Sequence, residues 1–160
     1  TREYLAVVNG VLVSGGTVDA PIGRHPTQRT RMAVTSQGKP AVSHYRVVTR
    51  YRAHTLVKVS LESGRTHQIR VHMAHQRYPV LGDPVYGGRL KLPPQSSAAL
   101  TAMLRGFRRQ ALHATRLGLI HPVSGEALEW SRPVPADMQA LMDALARDVR
   151  EHDAQNNGHE

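Results

Sequence analysis

The chain has 160 residues, 40% apolar and 21% charged, which is enough for one domain with a core and argues against general disorder. Cysteine is absent, so a disulfide scaffold, a thiolate zinc site and a cysteine nucleophile are excluded. The formal net charge of +9 is uneven: residues 1–92 hold 14 Lys/Arg against 4 Asp/Glu, whereas residues 93–160 hold 7 against 8. A localised basic excess suits a polyanion, most often nucleic acid, with a solvated basic surface as the plain alternative. The longest apolar run, Tyr4 to Val13, is interrupted by Asn9 and Gly10 and is too short to span a bilayer. With no basic-then-apolar leader, the expectation is a soluble, cytoplasmic protein. The first residue is Thr1, and a strand-like run follows at once, so a processed protein or the later part of a longer one is expected.

Alternation and β-branched content predict strands at Glu3–Asn9, Gly16–Ile22, Arg31–Thr35, Ala41–Tyr51 and His54–Glu62. The loop between the second and third holds Arg24, His25, Pro26, Arg29 and Arg31, loop-forming in backbone and anion-seeking in side chain. Arg65 to Gln76 reads as a helix capped by Thr66, with Ile69 and Met73 inward and Pro79 beyond its end. Ser96 or Ser97 is expected to cap a second helix bearing Leu100, Met103 and Phe107. Ala111–His121 and Ala127–Arg132 form a hairpin around Pro122–Gly125, and a third helix starts near Pro135 with Met138, Leu141, Met142, Leu145 and Val149 as its stripe. The fold class expected is α+β, with a mostly antiparallel mixed sheet and a few helices over residues 1–153, and a frayed tail at 154–160.

The densest stretch of chemistry is Leu61-Glu62-Ser63-Gly64-Arg65-Thr66-His67-Gln68-Ile69-Arg70-Val71-His72. It sets Arg65, His67 and Arg70 at a strand-to-helix junction, where free backbone N–H groups attract anions. Arg70 beside the core-facing Ile69 needs an acceptor, a carboxylate or a phosphate, and structural pairing stands equally open. His72 and His75 are three apart, but no His-Glu-x-x-His and no flanking carboxylate accompanies them, so surface or RNA-facing histidine is expected and no metal. Neither phosphate-loop signature occurs, and G-x-S-x-G is missing. Seven aromatic residues are too few for a reader with many stacking platforms, and Tyr4 alone reads either as one stacking face or as strand packing.

Three runs follow in order: Arg2-Glu3-Tyr4-Leu5-Ala6-Val7, then Gly64-Arg65-Thr66-His67-Gln68-Ile69-Arg70-Val71-His72, then Gly82-Asp83-Pro84-Val85-Tyr86-Gly87. With Arg24-His25-Pro26-Thr27, Gln110-Ala111-Leu112-His113-Ala114 and His121-Pro122-Val123-Ser124-Gly125, they make the chain resemble the RluA family of RNA pseudouridine synthases over about residues 1–150. The resemblance is strongest to the members that modify large-subunit ribosomal RNA. It implies a cofactor-free isomerisation in which a flipped uridine is cut from its sugar, turned and rejoined through carbon 5. It also implies that Tyr4 stacks on the uracil, that Ile69 walls the base pocket, and that Arg70 pairs with the catalytic aspartate. By the same resemblance Arg65 and His67 join Arg24, Arg29 and Arg31 as RNA contacts. The family's nucleophile sits in an H-R-L-D motif, which is absent: the aspartates here are Asp19, Asp83, Asp137, Asp143, Asp148 and Asp153. The resemblance therefore implies that the nucleophile, and the small S4-like domain many members carry, lie on a missing N-terminal segment. The expectation is a monomeric C-terminal portion of a catalytic domain, inactive alone, with a non-catalytic RNA-binding module as the alternative.

Overall fold

A computed structural model describes residues 2–157. Six strands form one antiparallel sheet in the order β2-β5-β6-β1-β7-β8: β1 (Arg2–Asn9), β2 (Gly16–Asp19), β5 (Val42–Arg50), β6 (His54–Leu61), β7 (Leu112–Ile120) and β8 (Ala127–Ser131). A small ribbon pairs β3 (Ile22–Arg24) with β4 (Met32–Val34), and three helices complete the fold: α1 (Gln68–His75), α2 (Ala98–Gly106) and α3 (Ala136–Asn157). The α+β class with a mostly antiparallel sheet is as the sequence implies.

The first strand is the middle of the sheet, flanked by β6 and β7. Its run Ala6-Val7-Val8 is fully buried because both faces are covered. Residues opposite one another in an antiparallel pair share a face. Tyr4 and Ala6 therefore share one face with Val59 and Val57, while Val7 and Asn9 share the other with Leu56 and His54. Ile69 and Met73 of α1, Leu100 and Leu104 of α2, and Met138, Leu141 and Leu145 of α3 pack with these strands into one core. The periodic stripe read from the sequence is thus the buried side of α3.

Three boundaries differ from expectation. The second strand divides in two, because Pro21 has no N–H to give a ladder and the Ala20 carbonyl accepts from His72 Nε2 (2.9 Å). The first helix starts at Gln68 rather than near Thr66; His67 precedes it in the left-handed region at φ 58°, with no side-chain cap. In place of a Thr66 cap, the Gln68 Oε1 reaches back to accept from the backbone N–H of Arg65 (3.0 Å) in the turn before the helix. The third helix continues to Asn157, so residues 154–157 of the expected tail are helical, and 158–160 lie outside the described residues. Ser97, not Ser96, caps α2 by accepting from the Leu100 N–H (3.1 Å).

A buried polar chain seats α1 on the sheet. The Gln68 Nε2 donates to the Val42 carbonyl and to Ser43 Oγ, each at 3.0 Å. Ser43 Oγ lies 2.7 Å from His72 Nδ1, whose ring donates through Nε2 to Ala20. His72 is therefore a fully buried structural residue, against the expectation of a surface or RNA-facing one, and both its nitrogens are committed. Only His75 of that pair is exposed. Burial also lowers the His72 pKa, which keeps the ring neutral and suited to this role.

His54 opens β6 fully buried, and neither of its ring nitrogens has a partner. Burial pushes its pKa down to about 4, outweighing the opposite pull of the Lys91 backbone and of Asp148. The folded value lies below the unfolded one of about 6.5, so the unfolded chain takes the proton first as pH falls. The stability contribution is complete above the unfolded pKa and is eroded as pH falls toward the folded one. Between pH 7 and pH 5 the loss due to this residue is about 2 kcal/mol, and His54→Leu should remove it. Urea unfolding of both proteins at the two pH values checks this; an identical pH dependence in both would rule out His54 as its source.

Candidate active site

Arg2, Tyr4, Leu61, Gly64, Arg65, His67, Gln68, Ile69, Arg70 and Leu112 line a cleft of about 220 Å³ at the junction of β1, β6, β7 and the start of α1. Five residues expected from the sequence meet there: Tyr4, Arg65, His67, Ile69 and Arg70. Tyr4 is placed by β1 next to a register shift against β7, where Glu3 faces Arg116 but Tyr4 faces Ala114. Such a bulge bends the strand and re-aims the adjoining side chains. Tyr4, Leu61, Ile69 and Leu112 form the apolar walls, and Arg2, Arg65 and Arg70 bring charge. The Arg2 guanidinium packs directly on Gly64, so a side chain there would displace it.

Arg70 has found its carboxylate within the chain. Its Nε donates to Asp83 Oδ2 (2.7 Å) and its Nη2 to Asp83 Oδ1 (2.9 Å), a two-pronged pair. The Asp83 side chain is fully buried and that of Arg70 nearly so. Asp83 Oδ1 also accepts the N–H groups of Val85 (2.9 Å) and Tyr86 (3.1 Å), forming an Asx turn. Burial alone pushes the Asp83 carboxyl up, but Arg70 and the two N–H groups outweigh it, and the net shift is downward. The Arg70 guanidinium is held above its usual range, chiefly by its hydrogen bonds to Asp83. The Arg70 Nη1 has no hydrogen-bond partner in the described structure.

Tyr86 ties this pair to its surroundings. Its ring centroid lies 5.0 Å from the Arg70 guanidinium carbon and 5.2 Å from that of Arg31. Its hydroxyl accepts from the Met32 N–H (2.9 Å) and lies 2.8 Å from His67 Nδ1. The hydroxyl can give its own proton to Nδ1 or accept one from it, according to the imidazole tautomer. Burial, then the Arg70 charge, lowers the His67 pKa, with Asp83 opposing, so the neutral tautomer fits. The left-handed backbone at His67 turns the ring to this contact, edge-on to Tyr86 at 5.6 Å and 71°.

The basic loop residues divide. Arg24 lines a neighbouring cleft of about 430 Å³ with Lys39, and that cleft shares Gly64 and Arg65 with the first. Arg24 also donates to the Arg29 carbonyl (3.1 Å), and Arg65 Nε donates to the Pro40 carbonyl (2.8 Å). Arg29 is exposed and lines neither cleft, while Arg31 packs behind Arg70 on Tyr86 and donates to Gln28 (3.1 Å). Asp83 and Tyr86 carry no site role in the sequence reading. The one local signal was the Asp-Pro turn, whose carboxylate is free to accept from the backbone two and three residues on. No Asp or Glu lines the first cleft among the described residues.

A family profile described as RNA pseudouridylate synthase matches residues 1–75. The chain is 61% identical over 147 residues to "Ribosomal large subunit pseudouridine synthase D" of Xanthomonas campestris pv. campestris, covering 92% of this chain and 44% of that protein. It is 57% identical over 152 residues to the protein of the same name from Escherichia coli K12, covering 95% of this chain and 47% of that one. The chain thus spans a little under half the length of the curated relatives it matches. Among solved structures, "Human RNA Pseudouridylate Synthase Domain Containing 1" aligns with a TM-score of 0.68 at 28% identity, covering 90% of this chain and 58% of that one. A human relative titled Domain Containing 4 aligns at 0.67 and 26% identity, covering 91% and 62%. Matched in sequence over nearly all its length and in fold over as much, the chain belongs to the RluA family of RNA pseudouridylate synthases.

Proposed function

We propose that this chain is the C-terminal portion of a pseudouridine synthase acting on large-subunit ribosomal RNA, and that it builds one side of the base pocket. The observation that carries the reading is the convergence of Tyr4, three apolar walls and three arginines in one cleft. A flipped base needs a stacking face and a water-poor wall, because leaving the helix stack costs a few kcal/mol. Tyr4 stacks on the uracil, with Ile69 against its edge. The bond from carbon 1′ to nitrogen 1 breaks, the base turns, a bond to carbon 5 forms, and the carbon-5 proton leaves; the Tyr4 hydroxyl is the group assigned to assist its departure.

The nucleophilic aspartate is assigned to a segment upstream of Thr1, together with an S4-like RNA-binding domain. The Arg70 fork is already closed on Asp83, so the nitrogen assigned to the nucleophile is Nη1. Asp83 then orients the guanidinium, and Nη1 meets the attacking carboxylate. Arg24, Arg29 and Arg65 hold phosphates on the approach. The reading needs no cofactor and no metal, and it describes a cytoplasmic monomer. No helix among the described residues is long and apolar enough to cross a membrane. The rival reading, an RNA-binding module without catalysis, draws on the same cleft, which has cations and no carboxylate.

The 160-residue chain alone should bind ribosomal RNA and convert no uridine, since the covalent step has no nucleophile. Carbodiimide-stop mapping of unmodified ribosomal RNA after incubation checks this, and multiple-turnover conversion would overturn the assignment of the nucleophile. Joined to the upstream segment of its reading frame, the protein should gain activity; if it stays inert while binding RNA, the non-catalytic reading stands.

Arg70→Ala leaves the Asp83 carboxylate buried and unpaired, which should cost about 3–5 kcal/mol of stability. Arg70→Lys keeps a charge but loses the fork, so in the joined protein it should slow single-turnover conversion strongly at nearly unchanged RNA affinity. Urea unfolding reads the first, and rate and dissociation constant on one RNA read the second. A wild-type rate in Arg70→Lys would end the positioning role.

A further inference from the structure

A second concavity, of about 530 Å³, lies on the other side of the Arg70–Asp83 pair from the base cleft. Asn9, Gly82, Asp83, the 84–90 turn and the end of α2 border it, the last through Leu104, Arg105, Phe107 and Arg108. Arg89, Arg105 and Arg108 all line it and all are exposed. None of these three side chains makes a hydrogen bond or ion pair among the described residues. The arginines nearby are different: Arg109 holds Asp137 through two bonds of 2.8 Å, and Arg52 holds Asp148 (3.2 Å). The chain from residue 93 onward has 8 acidic residues against 7 basic, so carboxylates were at hand. The one acid bordering the groove, Asp83, is already neutralised by Arg70.

The groove is also braced. Gly82, at φ 78°, packs so tightly on the segment leaving α2 that any Cβ there would strike the backbone of Arg109 and Phe107. The Phe107 ring carries the Arg109 guanidinium at 5.2 Å, and Arg109 is in turn fixed by Asp137. Pro84, Leu90 and Phe107 give the groove an apolar floor among its cations. Unpaired cations around an apolar and aromatic floor fit a single-stranded nucleic acid, whose phosphates take the charge while a base lies on the floor. An acidic peptide would satisfy the arginines but make less of the floor.

From these observations we infer that the groove is a second RNA subsite, holding single-stranded nucleotides that flank the target uridine, with Arg89, Arg105 and Arg108 on their phosphates. It rests on the proposed function only in taking RNA as the ligand and the cleft beyond Arg70 as the place of the target base. It also puts RNA contacts outside residues 1–92, where the sequence charge alone had confined them.

The test compares three proteins by fluorescence anisotropy across a salt series: the wild-type chain, Arg89→Gln/Arg105→Gln/Arg108→Gln, and a charge-matched control, Arg132→Gln/Arg147→Gln/Arg150→Gln. The probes are a labelled ribosomal RNA hairpin with single-stranded flanks and the same hairpin trimmed of them, with circular dichroism to compare the folds. On the flanked probe the groove variant should lose about 2 from its log–log salt slope, at about 0.7 for each single-strand phosphate released. Its low-salt affinity should fall on the order of tenfold, with the control near wild type and the trimmed probe nearly indifferent. A groove triple to lysine should keep the slope. Equal losses in groove variant and control, no loss, or an equal loss on the trimmed hairpin would overturn the subsite. So would poly-glutamate binding that matches the RNA in affinity and in dependence on the three arginines, which would mark a protein-docking surface. Turnover is not read here, so a chain that needs the groove for flanked RNA yet never converts uridine counts against the catalytic reading alone.

Discussion

The Arg70–Asp83 pair is the constraint on which the site depends. A buried ion pair gains stability only when its remaining lone pairs and protons are also satisfied. Here the two N–H groups of the Asx turn and the face of Tyr86 supply what the pair alone does not. The consequence is that the turn at 82–87, the start of α1 and the β3–β4 ribbon are tied together through Tyr86 and Arg70. Met32 reaches the ribbon's side of Tyr86, and His67 reaches the helix's side. A guanidinium held this way keeps both N–H bonds of Nη1 and one of Nη2 beyond its bonds to Asp83.

The other support is the buried chain of Gln68, Ser43 and His72. A helix of eight residues has little stability of its own in water. Its position is set by packing of Ile69 and Met73 and by this chain, which ties its first residue to β5 and its fifth to the break between β2 and β3. Because Gln68 also accepts the Arg65 N–H, the same side chain shapes the turn that presents Arg65 and His67. Residues that seat the helix and residues that line the cleft thus share one short helix.

Charge is organised around this framework rather than spread by sequence region. The cleft of Tyr4 and Arg70 and the cleft of Arg24 and Lys39 meet at Arg65, and the groove of Arg89, Arg105 and Arg108 lies beyond the Arg70–Asp83 pair. Cations from both halves of the chain therefore lie on the two sides of the Arg70–Asp83 pair. Paired arginines such as Arg52 and Arg109 fasten α3 to the rest instead.

The sequence by itself determined the α+β class, the strand and helix order, the apolar stripe of α3, and a dense run holding Arg65, His67, Ile69 and Arg70 worth treating as a site; Tyr4 joined that run only through the family resemblance. Those are local properties: period-2 and period-3.6 patterns and a dense motif are visible within a dozen residues. Tertiary structure alone decided which carboxylate Arg70 holds, that Tyr86 joins Met32 to His67, and that His72 lies in the core. It also decided that Arg105 and Arg108 share a groove with Arg89. The partners are far apart in sequence: Met32 and Tyr86 are 54 residues apart, His72 and Ala20 are 52. A hydrogen bond needs its atoms within about 3 Å, and only the register of the sheet and the seating of α1 bring such distant atoms to that distance.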